Sequence, residues 1–248
     1  MDRMERFIRG QKESLNPLKT AAMENFEANL DPLDAMLRSV LAPTEVLNAM
    51  KSFERVAKRA LKTSPNEVTP SFQRAADTLT TAMRDYVTVK HLTYRWISVM
   101  FVALLEGYLE DGLITLATKN PKVLRDAPPL HPQRALEIDS IEALRDEVRQ
   151  QWAHNFLRPG GPETWLKRLR NIGARGYDPD AVFVIQHLWD TRNLIVHARG
   201  IASAAYARKY EAKNGEPIEV TIYEMMGWLG ALKSFTICTD GFFLKYCA

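Results

Sequence analysis

The segment Trp96-Ile97-Ser98-Val99-Met100-Phe101-Val102-Ala103-Leu104-Leu105-Glu106-Gly107-Tyr108-Leu109 limits the possible folds more than any other part of the chain. It is apolar almost all the way round a helical wheel, so other elements have to enclose it. It carries Ser98 and Glu106 and is too short to span a bilayer, which takes about 20 apolar residues. A central helix inside a bundle meets both conditions. The 248 residues allow one large or two small domains with ample surface to bury.

Proline and glycine punctuate the rest. Asn16-Pro17 and Asp31-Pro32 divide residues 1–65 into short polar-rich helices, because the residue before proline is pushed out of the α region. Ala42-Pro43 opens an amphipathic stretch with Leu47, Met50, Phe53, Val56, Ala57 and Ala60 at helical spacing. Thr63-Ser64-Pro65-Asn66 is the best boundary, separating an N-terminal helical segment, 1–65, from a helical domain, 66–248. Thr69-Pro70 starts a helix, and helical character continues to about Thr118, either unbroken or interrupted near Tyr86 to Val89.

Asn120-Pro121 stops that run, and Ala127 to Pro132 reads as a loop. Ile138 to Phe156 is helical, Arg158 to Pro162 is a break, and a short helix runs from Pro162 to about Ile172. After a turn at Gly173 and Gly176, Asp178-Pro179 starts a helix to about Ala198 with Gly200 as its C-terminal cap. Lys213-Asn214-Gly215-Glu216-Pro217 is a turn, in a small hairpin or a plain loop. Thr221-Ile222-Tyr223-Glu224 has capping-box form and begins the last helix. With no strand alternation and no repeat, the expected class is all-α.

Composition bounds the function more loosely. A net charge of +3 is compatible with a polyanionic partner without demonstrating one. Cys238 and Cys247 lack metal-ligand spacing and read as free thiols of a reducing compartment. Met1 to Gly10 is charged and no apolar run follows, so a cytoplasmic location without membrane contact is expected. The five histidines are scattered, so neither a metal site nor a cofactor is expected. Gly160-Gly161, flanked by prolines, lacks the lysine and hydroxyl of a phosphate-cradling loop.

Chemically capable side chains crowd together in one place, Asp190-Thr191-Arg192-Asn193-Leu194-Ile195-Val196-His197-Ala198-Arg199-Gly200. On a helical wheel Val182, Val184, Ile185, Leu188, Trp189, Ile195 and Val196 form an apolar arc with Arg192 at its centre. Asn193, Gln186, His197 and Asp190 gather on the adjoining polar edge. A buried guanidinium needs a carboxylate, a partner subunit or a phosphate. Glu106 of the central helix is the expected internal partner, in direct contact with Arg192 or its neighbours. The structural alternative is an Arg–Glu pair that fixes helix register. The functional reading gives His197 acid–base work, since an imidazole with a pKa of about 6.5 suits proton transfer near neutrality. Arg192 would bind a phosphate and stabilise charge developing on its oxygens, with Asn193 orienting the histidine or a ribose hydroxyl. Such a set suits cleavage of RNA through its own 2′-hydroxyl, which requires no bound ion.

The pattern Asp190-x-Arg192-Asn193-x-x-Val196-His197-x-x-Gly200 resembles the Arg-x4-His motif of the HEPN superfamily, in the form of its RiboL-PSP-HEPN and related branches. Glu106, an acid in the apolar core helix, also matches that family's layout. The resemblance covers roughly residues 90–248. It implies a helical bundle that dimerises so that two motifs face each other across one cleft. It further implies metal-independent endoribonuclease activity in toxin–antitoxin or phage-defence systems, with RNA as substrate and an antitoxin or regulatory protein as a further partner. Arg192, Asn193 and His197 would be catalytic and Glu106 and Asp190 supporting. Because any substrate entering the cleft would pass them, Arg199 and Tyr206 are substrate-contact candidates. From another class, the alternative is a non-catalytic helical module whose motif serves dimerisation.

Several further residues carry two readings each. His154 and His187 read as ordinary helix histidines or as site residues, and His91 and His131 have no evident partner. Lys167-Arg168-Leu169-Arg170 with Arg175 is a solvated helix face or a set of phosphate contacts. Trp165 is a core residue or a stacking platform for a base.

Overall fold

A computed structural model describes residues 19–41, 55, 59, 70–158 and 160–247. The boundary at Thr63-Ser64-Pro65-Asn66, the break at Asn16-Pro17 and nearly all of the amphipathic stretch after Pro43 lie outside the described residues. Every regular element described is helical: α1 (Ala21–Leu41), α2 (Pro70–Lys119), a 3-10 turn (Pro121–Asp126), α3 (Pro132–Leu136), α4 (Ile141–Leu157), α5 (Pro162–Asn171), α6 (Pro179–His197), α7 (Ala204–Tyr210) and α8 (Ile222–Cys247). Extended pairing among the described residues is limited to one isolated antiparallel bridge, Ile201 to Pro217. The protein is all-α. None of the described helices is long and apolar enough to cross a membrane.

Local signals in the sequence set most helix ends. The Ser140 hydroxyl accepts from the Ala143 amide to start α4, and Asp178 accepts from the Asp180 amide to start α6 with Pro179 at the first helical position. Thr221 and Glu224 form the reciprocal capping box of α8, with the Thr221 amide donating to Glu224 at 2.7 Å and the Glu224 amide donating to Thr221 at 3.2 Å. The stretch Tyr86 to Val89 does not interrupt α2, which is one helix of 50 residues. Asp31-Pro32 does not end α1 either. An interior proline costs about 3 kcal/mol. Leu30 and Leu37, 2% and 0% exposed on either side of it, offset that cost at about 1.5–3 kcal/mol each.

The chain divides into two compact units, Asp31–Ile97 and a larger one of Met1–Leu30 with Ser98–Ala248. In the larger unit α8 packs along α6, α5 packs on α6, and α4 on α5. Tyr108 of α2 stacks between Phe26 of α1 and Phe243 of α8, with ring centres 5.4 and 6.2 Å away, and donates its hydroxyl to the Thr236 carbonyl at 3.0 Å. Asp240, 3% exposed, accepts from both the amide and the hydroxyl of Thr20. A methyl group at Gly112 would run into the Phe243 ring, so this glycine lets α8 close onto α2. The central segment Trp96 to Leu109 is buried along Ile97, Phe101, Val102, Leu105, Tyr108 and Leu109, while Trp96 (66%) and Met100 (42%) are exposed. The segment is enclosed on one side.

Candidate functional site

Helix α6 carries polar groups in two settings. In the first, Gln186, His187, Asp190 and Thr191 are tied to their surroundings. The Tyr206 hydroxyl meets His187 Nε2 at 3.0 Å and Thr191 Oγ1 at 2.8 Å. His187, 8% exposed, packs against the rings of Tyr210 and Trp228 at 4.4 and 5.5 Å, with Glu224 3.8 Å from its Nε2. Asp190 accepts from Gln186 at 2.9 Å, Lys209 at 3.0 Å and the Tyr210 hydroxyl at 2.6 Å. Gln186 also accepts from the Glu163 amide that opens α5. Burial pushes the Tyr206 hydroxyl up to about 12 and raises that of Tyr210 further, the latter also held protonated by Asp190.

This changes the role of two expected site residues. Tyr206, 9% exposed, has its hydroxyl committed to α6 and offers no face to a substrate. It anchors α7 against α6, an element that sequence periodicity missed because α7 has only seven residues. Asp190 holds Lys209 and Tyr210 of the same short helix.

The second setting is the last turn and a half of α6. Arg192, partly buried, donates Nη1 to Asn193 Oδ1 at 3.0 Å, and its guanidinium carbon lies 5.5 Å from the Trp189 ring centre. Its Nε is buried and has no hydrogen-bond partner among the described residues. No hydrogen bond and no ion pair within 4.0 Å joins Arg192 to Glu106, the residue expected to touch it or its neighbours. Arg192 acts on Glu106 only through space. Partial burial raises the Glu106 carboxyl, Arg192 pulls it back down, and Glu110 one turn further along α2 raises it again. His197 is exposed at the end of α6, and Val196 beside it is 48% exposed. The buried part of the apolar arc, expected to include Val196, therefore stops short of the helix end.

That turn is tightly built. The Leu194 carbonyl accepts from the amides of both Ala198 (2.9 Å) and Gly200 (2.8 Å), and the chain reverses through left-handed conformations at Arg199 (φ 55°) and Gly200 (φ 75°). Arg199 precedes Gly200 in this geometry, so a non-glycine residue bears the left-handed strain. The Gly200 carbonyl then accepts from the Ile218 amide at 2.8 Å, and Ala202, Tyr206 and Ile218 form a small core against Leu194 and Ile195. Together these hold His197 and the exposed Arg199 on a fixed edge.

Trp189, under the guanidinium, is itself wedged. It meets Trp165 edge-on at 4.8 Å, and the Trp165 indole donates to the Leu157 carbonyl at 2.7 Å. A methyl group on Gly161 would sit 2.7 Å from Trp189, so Gly161 is there for space, which its proline-flanked setting did not reveal. Trp165 is fully buried and cannot stack on a base. The basic run is also partly committed. Arg168 caps α4 by donating to the carbonyls of Asn155 (3.0 Å), Phe156 and Arg158 (2.6 Å). Arg175, though exposed, donates to the carbonyls of Arg170 and Ala174, leaving Lys167 and Arg170 as the exposed members with no side-chain hydrogen bond among the described residues.

Among the described residues no group of three or more His, Cys, Asp or Glu side chains is placed to hold a metal ion. Comparison with family models, curated proteins and solved structures finds no match.

Proposed function

We propose that the chain is an endoribonuclease of HEPN type that acts as a homodimer and cleaves RNA by internal attack of the 2′-hydroxyl. The observation that carries this reading is Arg192: a half-buried cation with its Nε unpartnered, braced by Asn193 and Trp189, with no carboxylate in contact. A cation drawn partly out of water, with Glu106 acting on it only through space, is poised for an anion, and a phosphodiester supplies one. His197, exposed beyond Asn193 on the same helix, supplies the proton-transfer group. In the reaction the 2′-oxygen bonds to phosphorus as its proton passes to an imidazole. The bond to the 5′-oxygen breaks, that oxygen takes a proton, and a 2′,3′-cyclic phosphate and a 5′-hydroxyl end remain. Arg192 stabilises the charge on the equatorial oxygens throughout. A second copy of the chain across the cleft gives two imidazoles, one for each transfer. An antitoxin or other regulatory protein would act by covering this edge.

The test incubates RNA with the full chain in excess chelator, beside His197→Ala and Arg192→Ala. Cleavage that leaves cyclic phosphate ends and disappears in both variants is expected, with the solution mass of a dimer. Cleavage that survives both substitutions, or that the chelator abolishes, sinks the assignment. A second reading, a non-catalytic dimerisation module, draws on two exposed apolar residues, Val196 within the motif and Ile201 (38%) just after it. It predicts a dimer that Val196→Asp dissociates and no cleavage of any RNA.

A further inference from the structure

A polar cleft of about 380 Å³ lies one helical turn from the acid that faces Arg192. One wall is Glu110 of α2, four residues and so about 6 Å along the axis from Glu106. The lining also takes in a single face of α4, Glu147, Gln150, Gln151 and His154, at the i, i+3, i+4, i+7 spacing that aligns side chains along a helix. Trp152, Ala153 and Phe156 take the buried face of α4, which fixes that polar row toward the cleft. Arg134 and His131 of the α3 region close the end.

The lining offers a phosphate no unpaired guanidinium or ammonium. Glu147 holds Arg134 with Nε 3.1 Å from its carboxylate, and Glu137 holds it again at 3.4 Å, so the cation is neutralised. Glu110 makes no hydrogen bond or ion pair with any described residue. A site with a spare carboxylate, neutral amides and flat imidazole and guanidinium groups wants a neutral planar ligand with paired N–H donors. Unstacked RNA bases are recognised in this way, by stacking on planar side chains and by hydrogen bonds along their edges. A carboxylate only accepts hydrogen bonds. The guanine edge offers two adjacent donors, N1–H and the 2-amino group, and its O6 accepts from a glutamine amide.

We infer that this cleft binds an unstacked guanine, with Glu110 reading its N1–H and 2-amino edge and Gln150 or Gln151 its O6, so that cleavage at Arg192 and His197 falls near guanine. The assignment of the base to RNA rests on the ribonuclease reading; the guanine chemistry of the cleft does not.

Two measurements on the full chain test it. Calorimetric titration of His197→Ala with guanosine 5′-monophosphate and with uridine 5′-monophosphate reads the cleft without cleavage. Guanosine monophosphate is expected to bind at least tenfold tighter, and adding Glu110→Gln should remove the difference, since one good bidentate base contact is worth about tenfold or more. Mapping the cut sites of wild type and Glu110→Gln on a long RNA reads the cleft in action, with guanine enrichment expected in the first and lost in the second. Equal binding of both nucleotides, together with a cut map that Glu110→Gln leaves unchanged, overturns the proposal even where RNA is cleaved. Guanine binding beside an indifferent cut map overturns the RNA occupant and leaves a free nucleotide in its place. Glu110-dependent guanine binding with no cleavage of any RNA overturns the ribonuclease reading and keeps the cleft.

Discussion

His187 and His197 stand on the same helix in opposite surroundings. His187 is 8% exposed, bonded to Tyr206 and enclosed by the rings of Tyr210 and Trp228. His197 is exposed at the helix end, next to a loop that holds its backbone and leaves its ring to solvent. The same division separates Asp190, with three donors on its carboxylate, from Arg192, whose buried Nε–H has no acceptor among the described residues. Polar groups that are buried and satisfied fix geometry, because removing one strands its partners. Polar groups held in place yet unsatisfied are available to a ligand. Burial and partner saturation, rather than residue type, divide scaffold from site on α6.

Exchanging the two histidines for alanine breaks the comparison most sharply. His197→Ala should lower RNA cleavage about 10³-fold, within the range for a lost acid–base group, and leave the denaturation midpoint almost unmoved, as exposed substitutions do. His187→Ala should do the reverse. It empties a packed site and removes one of the two partners of the Tyr206 hydroxyl, costing about 3 kcal/mol in urea unfolding, while the folded fraction cleaves normally. Equal effects on stability and rate in both variants would remove the distinction.

Alkali sharpens it. Tyr206 has a folded pKa of about 12 against 10.0 for the free side chain. Because the folded value is raised, its contribution is fully present below pH 10 and is lost as pH rises from there toward 12. The slope is about 1.4 kcal/mol per pH unit for a tyrosine that ionises only on unfolding. Urea unfolding at pH 8, 10 and 11 should show the decline, and Tyr206→Phe should flatten part of it. An unchanged slope in that variant would mean that Tyr206 is not the buried brace described.

A smaller effect is expected at Gly161. Gly161→Ala places a methyl group 2.7 Å from Trp189, which must move and take its support from under Arg192. Overpacking of this kind costs about 1–3 kcal/mol, and kcat should fall about tenfold while His187 stays protected in hydrogen exchange. Full activity in Gly161→Ala would show that Trp189 does not position the guanidinium.

Smallest of all is Glu106→Gln. The Glu106 carboxyl titrates above its usual 4.5, chiefly through burial, so its ionised form disfavours the folded state at neutral pH. The glutamine variant should therefore be at least as stable as the parent at pH 7, with the gap closing as pH falls to about 4. Its rate should drop by a small factor, since Arg192 loses a through-space counter-charge. A large loss of stability would instead indicate a direct ion pair.

Much of the fold was legible in the chain. Helix ends announced by local chemistry, such as Asp178-Pro179, Asn120-Pro121 and the Thr221/Glu224 box, fall where the residues place them, because capping involves only neighbours in sequence. Short elements escaped notice: α3 and α7, of five and seven residues, are too brief for a periodic signal and are held by packing. Continuity through Pro32 was also hidden, since burial of Leu30 and Leu37 outweighs the local preference.

The all-α class and the concentration of Arg192, Asn193 and His197 on one helix follow from residue identity and spacing alone, which fix what a helix can present on each face. Whether a given side chain is available was decided only by tertiary structure. Arg168, Arg175, Tyr206 and Trp165 each had a reading as an RNA or substrate contact, and each is engaged by a carbonyl, a hydroxyl or the core. Partners that are distant in sequence, or closed against a loop, leave no trace in local spacing. The unpartnered Nε of Arg192 and the open row on α4 are properties of the packed chain.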